Sequence, residues 1–294
     1  MAYKLEILPL NEKDKTKRER QLVKNPKGFI VFVHGICHGA WCWENFINFF
    51  AEQGYQCYAV SLRGHGNSEG KEDINSFTLS DYVEDVKTVV DMCATKPFLV
   101  GHSMGGAVVQ QYIGKYENTV RGAVLFAPAT APRMTYWDVF PKNKNLFWAT
   151  LIAFGFSPSK FAHDAAFFTG TNERGEKVQR VKDTAPYEKR LQRESSKITG
   201  GITGCGDLIR RYSDNYAVSI PILVIGSYAD AYFPDTSLKK TANMYAGKQK
   251  TALVILDHLC HDMMLDDDGW ETSAAPVLAF IEAPDEFVNE HLPK

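Results

Sequence analysis

Short apolar runs recur along the chain, separated by segments whose apolar positions follow a helical period. The runs are hydrophobic without alternation, which is typical of strands buried on both faces. They are GFIVFVH (28–34), YQCYAVSL (55–62), PFLVGHS (97–103), RGAVLFAP (121–128), IPILVIGS (220–227) and TALVILD (251–257). Helices are expected at 41–53, 80–93, 104–116 and 272–283, and an antiparallel edge strand at 3–8. The alternation predicts an α/β fold with a mostly parallel central sheet flanked by helices.

This alternation stops between residues 129 and 217. No buried-strand run occurs there, so we predict a mainly helical cap, inserted into a core formed by 1–128 and 218–294. Its aromatic residues either pack the insertion onto the sheet or line a pocket, and both kinds are expected. They are Tyr136, Trp137, Phe140, Phe147, Trp148, Phe154, Phe156, Phe161, Phe167 and Phe168.

Composition is that of an ordinary globular protein: 294 residues, 45% apolar, 23% charged and a formal net charge of −2. This balance gives no field that would attract nucleic acid, and the cluster KDKTKRER at 13–20 also contains acids. We interpret that cluster as a solvated loop or hairpin.

The longest apolar stretch, LFWATLIAFGF at 146–156, is about half the length that a bilayer requires. With no signal-like amino terminus, the chain is expected to be cytoplasmic, without stable membrane insertion. The sequence leaves its oligomeric state open.

The six cysteines show neither C-x-x-C nor zinc-like spacing, and most lie inside apolar runs. They are expected to be buried free thiols in a reducing compartment, with disulfides as the alternative.

His34 and His38 form an H-x-x-x-H pair, but they lie in a glycine-rich loop rather than on a helix. We therefore expect no metal site there, and no cofactor.

The segment LVGHSMGGAVVQ places Ser103 between glycines, where a buried strand ends and a helix begins. A serine in such a tight turn needs little bulk on either side, which Gly101 and Gly105 provide. The turn exposes the hydroxyl and leaves the N–H of Met104 unpaired at the helix start. The arrangement resembles the nucleophile elbow of the α/β-hydrolase superfamily. Ser103 is therefore the candidate nucleophile and Met104 a candidate oxyanion donor.

The resemblance implies an order of serine, acid and histidine, with the last two in loops after late strands. LVILDHLCHDMML offers His258 or His261. We favour His261, because apolar residues follow it, whereas His258 lies almost on the strand end. ILVIGSYADAYFP offers Asp230 as the acid. The alternative acids are Asp235, Asp257 and Asp262.

VFVHGICHGAWCW follows the first central strand and is similar to the esterase and hydroxynitrile-lyase branch of the superfamily. The resemblance gives the second oxyanion N–H to Ile36. SLRGHGNSEG at 61–70 and VGHSMGGAV resemble the broader esterase, lipase and peroxidase-like branches, and we assign His65 a structural role. The candidate pocket residues are His34, His102, Trp137, Phe140 and Trp148.

Together these motifs predict a cofactor-independent serine hydrolase of a carboxylic ester with a small or medium, apolar substrate. The same triad also serves C–C bond hydrolases, lactonases and acyltransferases. A hydroxynitrile lyase would need an added cationic group near the oxyanion. A ligand-binding receptor of this fold, with little turnover, is the alternative of another class.

Overall fold

The protein is described by a computed structural model covering residues 3–129, 167–199, 217–246 and 250–293. Seven strands form one sheet, in the order β1-β3-β2-β4-β5-β8-β9. Strand β1 pairs antiparallel with β3, and all the other neighbours in this sheet are parallel. The seven strands are β1 (Glu6–Leu8), β2 (Gly28–Val33), β3 (Tyr55–Ser61), β4 (Phe98–His102), β5 (Gly122–Phe126), β8 (Ile222–Ser227) and β9 (Thr251–Leu256). The predicted sheet and its antiparallel edge are confirmed.

Helices flank this sheet. The predicted helices correspond to α2, α3, α4 and α8, with α2 preceded by a 3-10 turn at Ala40–Trp43. Helix α3 packs on α4, and α8 on α2. The described helices are α1 (Lys15–Gln21), α2 (Glu44–Glu52), α3 (Leu79–Val90), α4 (Met104–Tyr116), α5 (Ala185–Glu188), α6 (Ser196–Thr199), α7 (Asp235–Tyr245), α8 (Trp270–Glu282) and α9 (Pro284–Glu290). Strands β2, β4, β5 and β8 are almost wholly buried, which explains their continuous hydrophobicity.

The interpretation of residues 13–20 as a loop or hairpin is wrong, because they contribute to helix α1. Asp14 caps this helix, its side chain accepting a hydrogen bond from the N–H of Lys17. Lys17 pairs with Glu12 at 3.0 Å and with Glu44 at 2.7 Å, and Gln21 is buried against Asn48. Tertiary contacts and a side-chain cap thus order a segment whose charge pattern alone indicated solvent.

Within the interval 129–217 the structure describes residues 129, 167–199 and 217. This part contains an antiparallel hairpin, β6 (Thr169–Thr171) with β7 (Lys177–Gln179), besides the short helices α5 and α6. The expectation of a mainly helical insertion did not include the hairpin. Phe167 and Phe168 are buried. The candidate pocket residues Trp137, Phe140 and Trp148 lie outside the described residues.

Five cysteines fall within the described ranges, and all five are free thiols. Cys37, Cys42, Cys57 and Cys260 are buried, whereas Cys93 is half-buried. Burial raises the pKa of each buried thiol well above its ordinary value. No helix in the described ranges combines the length and hydropathy that crossing a bilayer would take.

Candidate active site

Ser103 lies in a sharp turn between β4 and α4. Its backbone has φ 52° and ψ −117°, a conformation that costs a non-glycine residue about 1–3 kcal/mol. The flanking glycines permit the close approach this turn requires. A Cβ on Gly101 would lie 2.4 Å from the carbonyl oxygen of Gly105, and one on Gly105 would lie 2.4 Å from that of Val33. The sequence explanation for these two glycines therefore fits the geometry.

The backbone N–H groups of Met104, the first residue of α4, and of half-buried Ile36, in the loop after β2, have no hydrogen-bond partner among the residues that the structure describes. That loop lies against the elbow, since a Cβ on Gly35 would come within 3.0 Å of the Ser103 Cβ. Both candidate oxyanion donors thus belong to segments that border Ser103.

Asp230 and His261 meet at the carboxyl end of the sheet. His261 Nδ1 lies 2.8 Å from Asp230 Oδ2, and both side chains are about 1% exposed. The other Asp230 oxygen, Oδ1, accepts hydrogen bonds from the N–H groups of Tyr232 at 2.7 Å and Phe233 at 3.0 Å. The carboxylate is therefore fixed by the backbone of its own loop.

The His261 ring packs against the ring of His102, the residue before Ser103, with centroids 4.7 Å apart. In the described part of the chain, the Ser103 hydroxyl makes no hydrogen bond to His261. Such bonds are often long before substrate binds and tighten only in the reacting complex.

The alternative acids and base lie elsewhere or are already engaged. Asp257 is exposed, and Asp235 pairs with Lys239 one turn along α7. Asp262 is buried against His38. His258 has φ 68°, and its Nδ1 lies 3.1 Å from Thr171 Oγ1 in the β6–β7 hairpin. Its position is that of a structural residue.

His34 and His102, both candidate pocket residues, are fully buried. His34 Nδ1 faces the carbonyl of Gly35 at 2.8 Å, and His34 Nε2 accepts the N–H of Leu62 at 3.1 Å. Burial and the neighbouring His65 lower the pKa of His34 well below its ordinary value. His34 is thus a neutral support of the loop that carries Ile36.

Glu194 is a buried carboxylate that the sequence analysis did not single out. It accepts hydrogen bonds from Tyr82 Oη at 2.8 Å and from the N–H of Ser195 at 2.8 Å, and it pairs with His65 Nε2 at 3.0 Å. Burial raises the pKa of Glu194, but the charge and hydrogen bond of His65 outweigh it and leave the pKa lowered. Only the tertiary structure reveals the residue, because a lone glutamate in a polar stretch carries no local signal.

A second buried pair joins the loop after β2 to the loop that carries His261. His38 Nε2 lies 2.9 Å from Asp262 Oδ2, and His38 Nδ1 lies 2.6 Å from the carbonyl oxygen of Ile36. Burial lowers the pKa of His38, but the charge of Asp262 outweighs this and raises it. Burial likewise raises the pKa of Asp262, while His38 brings it below its usual range. The raised pKa of His38 and the lowered pKa of Asp262 both favour the charged form of the pair.

His102, His261 and Asp262 bring possible metal-ligand atoms within 4.8 Å of one another. One possible ligand atom of each residue is already engaged: His102 Nε2 faces the His261 carbonyl at 3.1 Å, His261 Nδ1 faces Asp230, and Asp262 Oδ2 faces His38. Burial and the neighbouring His261 lower the pKa of His102 well below its ordinary value. The three residues thus belong to one hydrogen-bonded network that includes Asp230 and His38.

Curated proteins similar to this chain carry esterase, lipase and peroxidase names. A monoacylglycerol lipase of Mycolicibacterium smegmatis is 37% identical over 110 residues, and methyl jasmonate esterase 1 of Vitis vinifera is 35% identical over 112 residues. These alignments span 36% and 37% of this chain and 39% of each relative. Non-heme chloroperoxidase CPO-A1 of Kitasatospora aureofaciens is 31% identical over 73% of this chain and 79% of its own.

Solved structures share the fold at low sequence identity. An esterase from Exiguobacterium antarcticum superposes with a TM-score of 0.68 at 15% identity, covering 96% of this chain and 97% of its own. A monoacylglycerol lipase of Paleococcus ferrophilus gives 0.65 at 17% identity, covering 98% and 99%.

A family model described as "Serine aminopeptidase, S33" matches residues 24–268. The match covers strands β2 to β9, the elbow and the loop with His261. The chain therefore belongs to the S33 serine aminopeptidase-like family of the α/β-hydrolase superfamily.

Proposed function

We propose that the protein is a serine hydrolase that cleaves carboxylic esters through an acyl-enzyme intermediate, without a cofactor. The observation that carries the proposal is the 2.8 Å contact between Asp230 and His261, next to a serine in a strained strand-to-helix turn. A serine hydroxyl is a weak nucleophile until a base removes its proton, and the base needs an acid to orient it.

In the acylation step, Ser103 Oγ attacks the ester carbonyl carbon while His261 Nε2 takes the hydroxyl proton. Asp230 accepts the Nδ1–H of His261, which fixes the tautomer and stabilises the charged ring. The N–H groups of Ile36 and Met104 bind the oxyanion, and one such donor is worth about 3–4 kcal/mol in well-studied hydrolases. The carbonyl then re-forms, the C–O bond breaks, and His261 passes its proton to the leaving alcohol.

Deacylation repeats these roles with water. His261 takes a proton from a water molecule, whose oxygen attacks the acyl carbon, and the same N–H groups bind the second oxyanion. Collapse releases the carboxylic acid and returns the proton to Ser103.

The substrate class we propose is an ester with a small or medium apolar acyl group. The names of the relatives, a monoacylglycerol lipase and a methyl jasmonate esterase, support an ester but disagree about the alcohol. Buried Phe167, whose ring stacks on that of His261 with centroids 6.3 Å apart, supports an apolar environment beside the site.

The test is hydrolysis of p-nitrophenyl esters of increasing acyl length by wild type, Ser103→Ala, Asp230→Asn and His261→Ala. We expect losses of up to about 10⁶-fold in kcat for the serine and histidine variants and about 10⁴-fold for the aspartate variant, with folding retained. The dependence of kcat/KM on acyl length shows how long an acyl group the pocket accepts.

A fluorophosphonate probe provides the control. It should label wild type and leave Ser103→Ala unlabelled, and a folded wild type that resists labelling would contradict the nucleophile. Labelling without hydrolysis of any ester would instead direct the search to lactones, C–C substrates and acyl acceptors other than water.

A further inference from the structure

We propose that His38 and Asp262 form a positioning pair, which holds the oxyanion loop (residues 34–39) in register with the loop that carries His261. This inference rests on the proposed function and assigns two buried residues that the triad mechanism leaves unused. Its first support is geometric. His38 reaches the carbonyl oxygen of Ile36 with Nδ1 at 2.6 Å and Asp262 Oδ2 with Nε2 at 2.9 Å.

Both atoms that face the His38 ring accept hydrogen bonds, so both ring nitrogens must carry hydrogen. A neutral imidazole has only one N–H and would lose one of the two contacts. The side chains of His38 and Asp262 are 1% and 0% exposed, and their charges compensate each other away from water. In the charged pair, His38 therefore holds Asp262 and the Ile36 carbonyl at the same time.

The peptide planes around Ile36 explain why this hold bears on catalysis. The carbonyl of Gly35 is fixed by His34 Nδ1 at 2.8 Å and, more weakly, by the N–H of His38 at 3.4 Å. In a trans peptide the C=O and N–H point in opposite directions, so fixing this carbonyl aims the N–H of Ile36. The hydrogen bond from His38 Nδ1 to the Ile36 carbonyl fixes the next peptide plane, between Ile36 and Cys37. Ile36 therefore lies between two peptide planes that are both held by hydrogen bonds.

This loop needs an external hold because it is strained. Cys37, next to Ile36, has φ 65°, a left-handed conformation that costs a residue with a Cβ about 1–2 kcal/mol. Release of the Ile36 carbonyl would let the 36–37 peptide relax and turn the candidate oxyanion donor away from Ser103.

The other side of the pair carries the base. Asp262 directly follows His261, and its own N–H donates to the carbonyl of Phe167 at 3.0 Å. Its Oδ1 lies 3.6 Å from His102 Nε2, which also faces the His261 carbonyl at 3.1 Å. The pair therefore connects the oxyanion loop, the elbow and the base loop through one buried network.

Stability alone is a weak reason for such a pair, because well-packed apolar residues often replace buried ion pairs without loss. Fixing a geometry is a role that apolar residues cannot take over.

Other titratable groups also face the pair of His38 and Asp262 and are part of its electrostatic environment. They are His34, Cys37, Cys42, His102, Glu194, Tyr232, Cys260 and His261.

The test compares three variants with wild type across pH 5–10: Asp262→Asn, His38→Asn and His38→Gln. An asparagine places its amide nitrogen where His38 has Nδ1, so it keeps a donor to the Ile36 carbonyl and loses Asp262. A glutamine places its amide nitrogen where His38 has Nε2, so it keeps a donor to Asp262 and loses Ile36. The two His38 variants remove the same charge and form a matched pair.

We expect His38→Gln to lose about 10–100-fold in kcat on a p-nitrophenyl ester, with KM within about twofold, since a whole oxyanion donor is worth about 10²–10³. His38→Asn should stay within about fivefold of wild type. The inhibition constant for a trifluoromethyl ketone, which forms a tetrahedral oxyanion with the serine, should weaken in parallel with kcat/KM.

Asp262→Asn should keep both contacts of His38, because its amide can donate to Nε2 of a neutral imidazole whose Nδ1–H still reaches the Ile36 carbonyl. We therefore expect its kcat to stay within about fivefold of wild type across this pH range, although the charges of the pair are gone. The control is Asp85→Asn, which neutralises another ion-paired carboxylate, the partner of Arg63.

Equal kcat in His38→Asn and His38→Gln, or a loss of kcat in Asp262→Asn as large as in His38→Gln, would overturn the proposal. If Asp262→Asn does not fold, the two His38 variants decide alone. Wild-type esterase activity and fluorophosphonate labelling test the proposed function separately. If wild type is active and the two His38 variants have the same kcat, the positioning pair is refuted and the proposed hydrolase function stands.

Discussion

At the scale of single residues, the elbow depends on the absence of side chains more than on their presence. The two glycines around Ser103 face backbone carbonyl oxygens at distances that no Cβ tolerates. Such contacts cannot be relieved by a rotamer change, because the opposing atoms belong to β2 and α4.

We expect Gly105→Ala to destabilise the protein by about 1–3 kcal/mol, because its Cβ would displace helix α4 from the carbonyl of Val33. It should also lower kcat by about 100-fold, since the N–H of Met104 moves with the helix and an error of about 1 Å suffices for such a loss. Urea unfolding and ester hydrolysis measure the two effects.

The matched control is Gly28→Ala in β2. A Cβ there would meet the Tyr55 ring at an ordinary 3.5 Å, so stability and activity should stay close to wild type. Equal losses in the two variants would show that glycine replacement in the core, rather than contact at the elbow, is responsible.

At the scale of elements, sequence reasoning succeeded where local pattern and burial agree. The doubly buried strands and the elbow between β4 and α4 follow from continuous hydrophobicity and from glycine spacing. It failed at α1, where contacts with α2 decide the conformation. The Asp230–His261 contact matched an expectation from chain order, whereas Glu194 and the partner of His38 depend on contacts between residues more than 100 positions apart.

The segment 191–195 shows such a long-range contact most clearly. Gln192 donates its N–H to the Cys37 carbonyl at 2.9 Å, and the N–H of Cys37 faces Glu194 at 3.4 Å. Gln192 also contacts the backbone of Gly64 and Gly66. This segment therefore fixes two loops of the core at once.

We expect Glu194→Ala to cost about 3–5 kcal/mol, because Tyr82 Oη, the N–H of Ser195 and His65 Nε2 all lose their buried partner. Glu194→Gln should cost less, since a neutral His65 ring can accept a hydrogen bond from the amide while donating to the Arg63 carbonyl. Urea denaturation of both variants measures the difference, and a glutamine variant as unstable as the alanine variant would contradict this account.

At the scale of the whole molecule, the buried pairs make stability depend on pH. Folding raises the pKa of His38, so its contribution is complete below the unfolded value of about 6.5 and is lost as pH rises through the folded pKa. Folding lowers the pKa of Asp262 and Glu194, so their contribution is present above about pH 4 and is lost as pH falls through their folded pKa values. Together they stabilise the fold most between about pH 4 and 6.5.

We expect the stability difference between wild type and His38→Asn to be largest near pH 6 and to shrink as the pH rises above about 6.5. Unfolding in urea at half-unit steps from pH 5 to 9 gives this difference directly. A difference that grows with pH would reverse the assigned sign of the His38 shift.

The contacts of Gln192 and Glu194 with Cys37 also bear on how this scaffold can diversify. The segment between β5 and β8 supplies two hydrogen-bond partners of the Cys37 backbone, the N–H of Gln192 and the carboxylate of Glu194. Cys37 is strained and lies beside Ile36, the candidate oxyanion donor. A chimera in which a foreign segment replaces 129–217 would have to reproduce those two partners, whereas substitutions elsewhere in the segment would leave them in place.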